Sequence, residues 1–185
     1  SLLMTQVAAE EMAGRGFTID RLTINRPSSS YQGLFGHTSG ATLTDLHLTR
    51  VAVVGQSYAA GVVGQATNTT LTDIDVTGAV TSAGYGGLVS GRINGGSLTR
   101  ANLSGEVTCT GDFCALAVAL AGPAQASRVY VSGKVNGRNQ AGGVFGSMAA
   151  ASTLRESRAD VTVTGTGSLG GLVGQSATAT LERLE

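Results

Sequence analysis

The sequence predicts an all-β chain wound as a right-handed parallel β-helix, a β-solenoid of about six coils of 24–28 residues. Three observations predict it. Related segments begin at Ile19, Leu43, Leu71, Leu98, Ala126, Leu154 and Leu181, at intervals of 24, 28, 27, 28, 28 and 27 residues, and a fixed period of this size is the mark of a repeat architecture. Apolar runs within each repeat are short, close to alternating, and bounded by Gly, Ser, Asn or Thr, which is the pattern of strands. Glycine reaches 28 of 185 residues, a density that would break the paired helices of a helical solenoid but suits the corners of a β-coil. Right-handedness follows from the general preference of parallel crossovers.

Each coil opens on an apolar-polar rung such as Leu43-Thr-Asp-Leu46-His-Leu48, Leu71-Thr-Asp-Ile74-Asp-Val76 or Leu98-Thr-Arg-Ala101-Asn-Leu103. Stacked in parallel about 4.8 Å apart, such rungs bury one face in a shared core. Two residues past each start the column reads Arg21, Asp45, Asp73, Arg100, Arg128, Glu156, Arg183. It is expected to face outward as a charge ladder, with four of its six neighbouring pairs opposite in sign, each contributing at most a few tenths of a kcal/mol at a surface. Three residues past each start an inward column reads Leu22, Leu46, Ile74, Ala101, Val129, Ser157, Leu184, in which Ser157 needs a hydrogen-bond partner if buried. A second apolar patch, flanked by glycine, follows in each coil: Gly33-Leu-Phe-Gly36, Gly61-Val-Val-Gly64, Gly87-Leu-Val-Ser-Gly91, Gly143-Val-Phe-Gly146 and Gly171-Leu-Val-Gly174. The fourth coil, Ala115-Leu-Ala-Val-Ala-Leu-Ala-Gly122, lacks the leading glycine, so its corner is expected to differ.

Residues 17–185 form the solenoid in this reading. Residues 1–16 form an N-terminal cap, with Leu2 to Met12 either a short amphipathic helix over the open core or an incomplete earlier coil; an uncapped solenoid exposes core and an unpaired edge. The chain starts at Ser1 without an initiator Met or signal peptide and stops in mid-repeat, which reads as a fragment of something larger, continued by neighbouring coils. Twelve basic and twelve acidic residues balance, with no basic cluster, which argues against nucleic acid and anionic membranes as partners. The longest apolar run, Cys114 to Ala121, is too short for membrane insertion.

The segments Gly16-Phe-Thr-Ile-Asp-Arg-Leu-Thr-Ile-Asn25, Tyr31-Gln-Gly-Leu-Phe-Gly36 and Ala41-Thr-Leu-Thr-Asp-Leu46 resemble the entry into a GLUG-repeat region, named for its Gly-Leu-apolar-Gly core. The resemblance runs from about Gly14 to Leu184, with five segments in register. It implies a β-helix region of a large bacterial surface or secreted protein, such as a filamentous-haemagglutinin-like adhesin or the non-catalytic part of an immunoglobulin-A-cleaving metallopeptidase. Export, and either adhesion or a spacer role, follow from the resemblance. The expected function is a non-catalytic stalk or binding surface for host or matrix glycans or proteins, needing no cofactor. The rivals are an accessory region of a secreted enzyme, a solenoid glycosidase or lyase, and an ice-binding surface.

Several residue groups are candidates for chemistry. Cys109 and Cys114 flank Thr-Gly-Asp-Phe, and an even cysteine count in an exported chain suggests a disulfide pinning that loop. Reduced thiols are the alternative; two sulfurs without neighbouring histidines make an incomplete metal site. Tyr31, Tyr58 and Tyr85 each precede the glycine-flanked patch of successive coils. They are expected to stack, either as exposed platforms for sugar rings or as plain turn packing. Thr42 and Thr44, Thr70 and Thr72, and Ser97 and Thr99 form a paired hydroxyl array, which β-propensity alone explains. Asp45 and Asp73 fall on adjacent rungs, near the carboxylate spacing of a retaining glycosidase, but no third polar group is seen to converge on them. His37 and His47 lack metal-ligand spacing. Gly84-Tyr-Gly-Gly is a corner, because no helix pattern or Lys-Ser/Thr follows it. Asn68-Thr-Thr and Asn102-Leu-Ser match the glycosylation sequon, an accidental match under the bacterial origin that the resemblance implies.

Overall fold

A computed structural model describes residues 7–8 and 11–185. Among these the chain is a β-solenoid of about six turns in which every strand pairing is parallel and no helix occurs. The backbone of each coil is carried mainly by one long strand: Thr42–Gly55, Val63–Ser82, Ser90–Cys109, Gln125–Asn136 and Thr153–Thr164. A separate ladder of five short strands, from Ala59–Ala60 to Ser168–Gly170, runs up another side of the rod. The repeat fixes the register. Leu43, Leu71, Leu98, Ala126, Leu154 and Leu181 pair rung on rung, and all but the last are buried.

The long strands bend at two columns, for different reasons. Leu43 and Leu46 both point into the core although they are three residues apart, a spacing that strict two-residue alternation forbids. The residue between Thr44 and Leu46 absorbs the mismatch. At Arg21, Asp45, Asp73, Arg100, Arg128, Glu156 and Arg183 the backbone is left-handed, with φ between 50° and 58°. Arg100 falls between the paired rungs Thr99–Thr72 and Ala101–Ile74. The charge ladder expected on a strand face is therefore an outer corner. It retains its ion pairs: Arg100 Nε lies 2.6 Å from Asp73, Arg128 Nε 3.1 Å from Glu156, and Arg183 Nη2 2.7 Å from Glu156. Arg21 turns instead to Asp20, 3.8 Å away.

In three successive coils the second bend is made by glycine, while the column begins at Val51, beside the left-handed Arg50, and ends at Val161. Gly78, Gly105 and Gly133 stack directly, with φ of 141°, 152° and 132°. A Cβ on Gly105 would lie 1.9 Å from the Gly78 carbonyl oxygen, and one on Gly133 2.0 Å from that of Gly105. Both the dihedral and the close approach of successive backbones exclude a side chain there.

The interior is filled by Leu, Ile, Val and Ala from all sides of the coil, continuous from Phe35 to Leu154. The few buried hydroxyls are all bonded. Ser157, 2% exposed, donates to the Arg155 carbonyl at 2.8 Å and accepts from the Val129 N–H at 3.1 Å. Thr38 and Thr69 share a bond of 2.9 Å, and Ser152 donates to the Gly122 carbonyl at 2.8 Å. In the fourth coil Leu116 takes the place of the leading glycine, as Leu88 does in the third. The Leu88 N–H donates to the Leu116 carbonyl at 2.7 Å, and Leu116 in turn donates to Gly143 at 2.9 Å. Both leucines are fully buried, so this corner differs in side chain while the stack continues.

The N-terminal helix expected over Leu2 to Met12 is corrected where the segment is described. Val7–Ala8 pairs with Thr38–Ser39, and Glu11–Ala13 pairs with Thr42–Thr44, both in parallel. These strands continue the ladder as an incomplete earlier coil, their backbone pairing with the otherwise open edge of Phe35–Ser39 and Thr42–Gly55. Residues 1–6 and 9–10 of that segment lie outside the described residues.

Candidate functional site: an aromatic corner and the polar outer face

In the second and third coils the trailing glycine of the patch makes room for an aromatic corner. Gly64 and Gly91 pack beneath the backbone of the preceding coil: a Cβ on Gly64 would lie 2.9 Å from Tyr31 Cα, and one on Gly91 2.6 Å from Tyr58 Cα. Tyr31 and Tyr58 are themselves left-handed, with φ of 60° and 55°. The corner places one ring per coil in a single column. Ring centroids of Tyr31 and Tyr58 are 5.1 Å apart, those of Tyr58 and Tyr85 4.7 Å, and those of Tyr85 and Phe113 5.1 Å, with planes within 11°, 3° and 6° of parallel.

The stack brings together all three predicted tyrosines and adds Phe113, whose ring stacks without a hydroxyl. Its geometry decides what the column can do. A sugar stacks on the face of a ring, and here the faces cover one another, leaving mostly edges to solvent. Tyr31, the first ring, is 45% exposed. It opens on a cleft of about 530 Å³ lined by Arg26, Gln32, His37 and Gln65. There the Gln32 amide donates to the Ser30 carbonyl at 2.7 Å, while its buried Oε1 has no partner among the described residues. Burial pushes the Tyr85 phenol above its usual value, so that ring is a neutral packing element.

Cys114 follows Phe113 directly and is bonded to Cys109, with Cα atoms 5.8 Å apart. The bridge closes the Thr110-to-Phe113 loop that carries the fourth ring. Both cysteines are buried, which shields the bond from exchange.

Elsewhere the outward side chains form flat columns. Thr42, Thr70 and Ser97 stack in register, as do Thr44, Thr72 and Thr99, so the hydroxyl array forms; Gln125 and Arg155 lie farther along the same columns. His47 is held between two carboxylates, Nε2 at 2.8 Å from Asp45 and Nδ1 at 2.8 Å from Asp75. The bond to Asp45 holds its pKa above the ordinary value; burial opposes this and the Asp75 charge adds to it. Asp73 is drawn to Arg100, whose bonds hold its carboxyl below the usual range. Asp45 and Asp73 thus face different partners, and do not converge on a common point. Among the described residues no cluster of three or more His, Cys, Asp or Glu side chains is arranged to hold a metal ion. His37 lies 3.5 Å from the Thr67 hydroxyl. No helix among the described residues is long and apolar enough to cross a membrane.

One aromatic residue on this outer face escaped the sequence reading. Tyr130, 46% exposed, stands in the His47–Asp75–Asn102–Tyr130–Arg158 column. The signal was an aromatic at an outward position between the inward Val129 and Val131.

Comparison with family models, with curated proteins and with solved structures finds no match for this chain.

Proposed function

We propose that this chain is a non-catalytic rod of an exported bacterial surface protein, serving as a stalk and presenting its flat outer columns to glycans or proteins of a host or matrix. The observation that carries the reading is the unbroken register: seventeen residue pairs join the strand Val63–Ser82 to Ser90–Cys109 alone. In a solenoid these hydrogen bonds run along the rod axis, so tension along it loads a whole rung of bonds at once. Such a rod holds a surface at a fixed distance, with each coil adding about 4.8 Å.

Three further features support the reading. The buried Cys109–Cys114 bond suits an oxidising, extracytoplasmic compartment. Five of the seven charged side chains of the corner column, Asp73, Arg100, Arg128, Glu156 and Arg183, are paired with one another along the rod, which supports a structural rather than a catalytic use of them. The repeat resembles the GLUG regions of large surface proteins, a likeness that rests on its glycine-flanked patches.

The test is adhesion without turnover. Beads coated with the protein are incubated with immobilised mucin, fibronectin and epithelial cells, and the supernatants are assayed for new reducing ends. Retention above uncoated beads, with no new reducing ends, is expected. Retention equal to uncoated beads, or release of reducing ends at a rate above the control, would overturn the reading.

A further inference from the structure

We infer that the outer face around Tyr130 is a saccharide-binding subsite that takes a neutral, hydroxyl-rich sugar on the face of the tyrosine ring. The inference deepens the binding role proposed above and rests on it.

The first ground is the contrast between two aromatic positions. In the corner column Tyr58 and Tyr85 are each sandwiched between two rings at 4.7–5.1 Å, and the end rings Tyr31 and Phe113 are covered by an aromatic on one face. Tyr130 instead has Asn102 before it and Arg158 after it in its column. Among the described residues no aromatic ring stacks on it, whereas Tyr31, equally exposed, has one face covered by Tyr58. Tyr130 thus offers aromatic surface on an otherwise polar sheet face, where a sugar ring can stack.

The second ground is what surrounds the ring. It lies in a groove of about 380 Å³ shared with Asp75, Asn102, Ser104, Ser132, Arg158 and Asp160. Arg158 pairs in register with Tyr130, and Asp160 with Ser132. The corner charges are matched across coils, yet neither Arg158 nor Asp160 forms an ion pair among the described residues. A planar guanidinium donates two parallel hydrogen bonds and a carboxylate accepts two; set two residues apart on one strand, they suit neighbouring hydroxyls of a sugar whose C–H face lies on the ring. Their charges cancel, and the further carboxylate of the groove, Asp75, is held by His47 at 2.8 Å, which favours a neutral saccharide.

A protein partner fits this face less well. Protein interfaces need a larger apolar centre than one tyrosine, and the strand backbone here is already paired on both sides, leaving no edge to extend.

The test uses saturation-transfer NMR on the whole protein with lactose, N-acetyllactosamine, cellotriose and maltotriose at millimolar concentration. At least one of these should receive saturation from the aromatic protons. Tyr130→Ala should weaken that binding at least ten-fold, Arg158→Gln by a few-fold, and Tyr130→Phe little; Tyr31→Ala should leave it unchanged. Tyr130 is exposed, so unchanged far-ultraviolet dichroism is expected for its variants and serves as the folding control. Equal binding by folded Tyr130→Ala would overturn the subsite while leaving the adhesive role intact. Absence of saturation transfer to all four sugars would also overturn it, and bead adhesion, read separately, would then report on the broader reading.

Discussion

His47 of one coil and Asp75 of the next are joined by a contact of 2.8 Å, while the other ring nitrogen of His47 is 2.8 Å from Asp45. The histidine is thus a proton-dependent staple between coils. Its pKa in the folded protein is raised from 6.5, so the charged form is favoured by folding. The stabilisation is fully present below about pH 6.5 and is lost as the pH rises through the raised value. Urea melts should show a midpoint that falls between pH 6 and pH 8.5, and His47→Gln should flatten that slope. The carboxyls of Asp20, Asp73 and Glu156 are lowered by their arginine partners, so their contribution runs the other way, being lost as acid protonates them.

Ser157 tests whether buried polarity is required in the inward column. Its hydroxyl is the acceptor for the Val129 N–H. Ser157→Ala leaves that donor buried and unpaired, and a loss of about 1–3 kcal/mol is expected, read from chemical denaturation.

The glycine column gives the sharpest steric contrast. Gly105→Ala places a methyl 1.9 Å from a backbone oxygen at φ 152°, and should abolish folding or cost several kcal/mol. Gly171, where an added Cβ meets nothing within 4 Å, should accept alanine with a change within about 0.5 kcal/mol.

The disulfide closes a short loop between Cys109 and Cys114. Loop-closure entropy assigns it about 2 kcal/mol, so Cys109→Ser with Cys114→Ser should fold, melting a few degrees lower. In the intact protein, burial of both sulfurs predicts slow reduction by dithiothreitol that accelerates in urea.

A charge in the core should be far more damaging than any of these. Ile74 is fully buried, and Ile74→Asp sets an unpaired carboxylate against Leu46 and Ala101. Loss of soluble, β-type dichroism is expected.

The repeat made the fold legible because stacking writes each core position several times: Leu43, Leu71 and Leu98 are one structural site sampled on three coils. What stayed hidden depended on backbone conformation. The charged column read as a strand face, since nothing in Asp45 or Arg100 announces a left-handed residue; the three-residue spacing from Leu43 to Leu46 was the available clue. The column of Gly78, Gly105 and Gly133 was masked by glycine's abundance elsewhere. The aromatic corner was found through its tyrosines, yet Phe113 joined it because stacking needs the ring and not the hydroxyl. The occlusion of the ring faces, which turns attention to Tyr130, follows from ring orientation, and no spacing of residues encodes that.

The account depends on equivalent residues of successive coils lying directly above one another. Thr72 and Thr99 are register partners, as are Thr99 and Ser127. Adjacent rungs lie about 4.8 Å apart, inside the Cα range of roughly 4.4–6.8 Å that a disulfide spans, and rungs two apart lie beyond it. With Cys109–Cys114 intact, Thr72→Cys with Thr99→Cys should oxidise to a single new bond, located by non-reducing peptide mapping, while Thr72→Cys with Ser127→Cys should remain reduced. A bond in the second pair as readily as in the first, or none in the first, would contradict the stacked register.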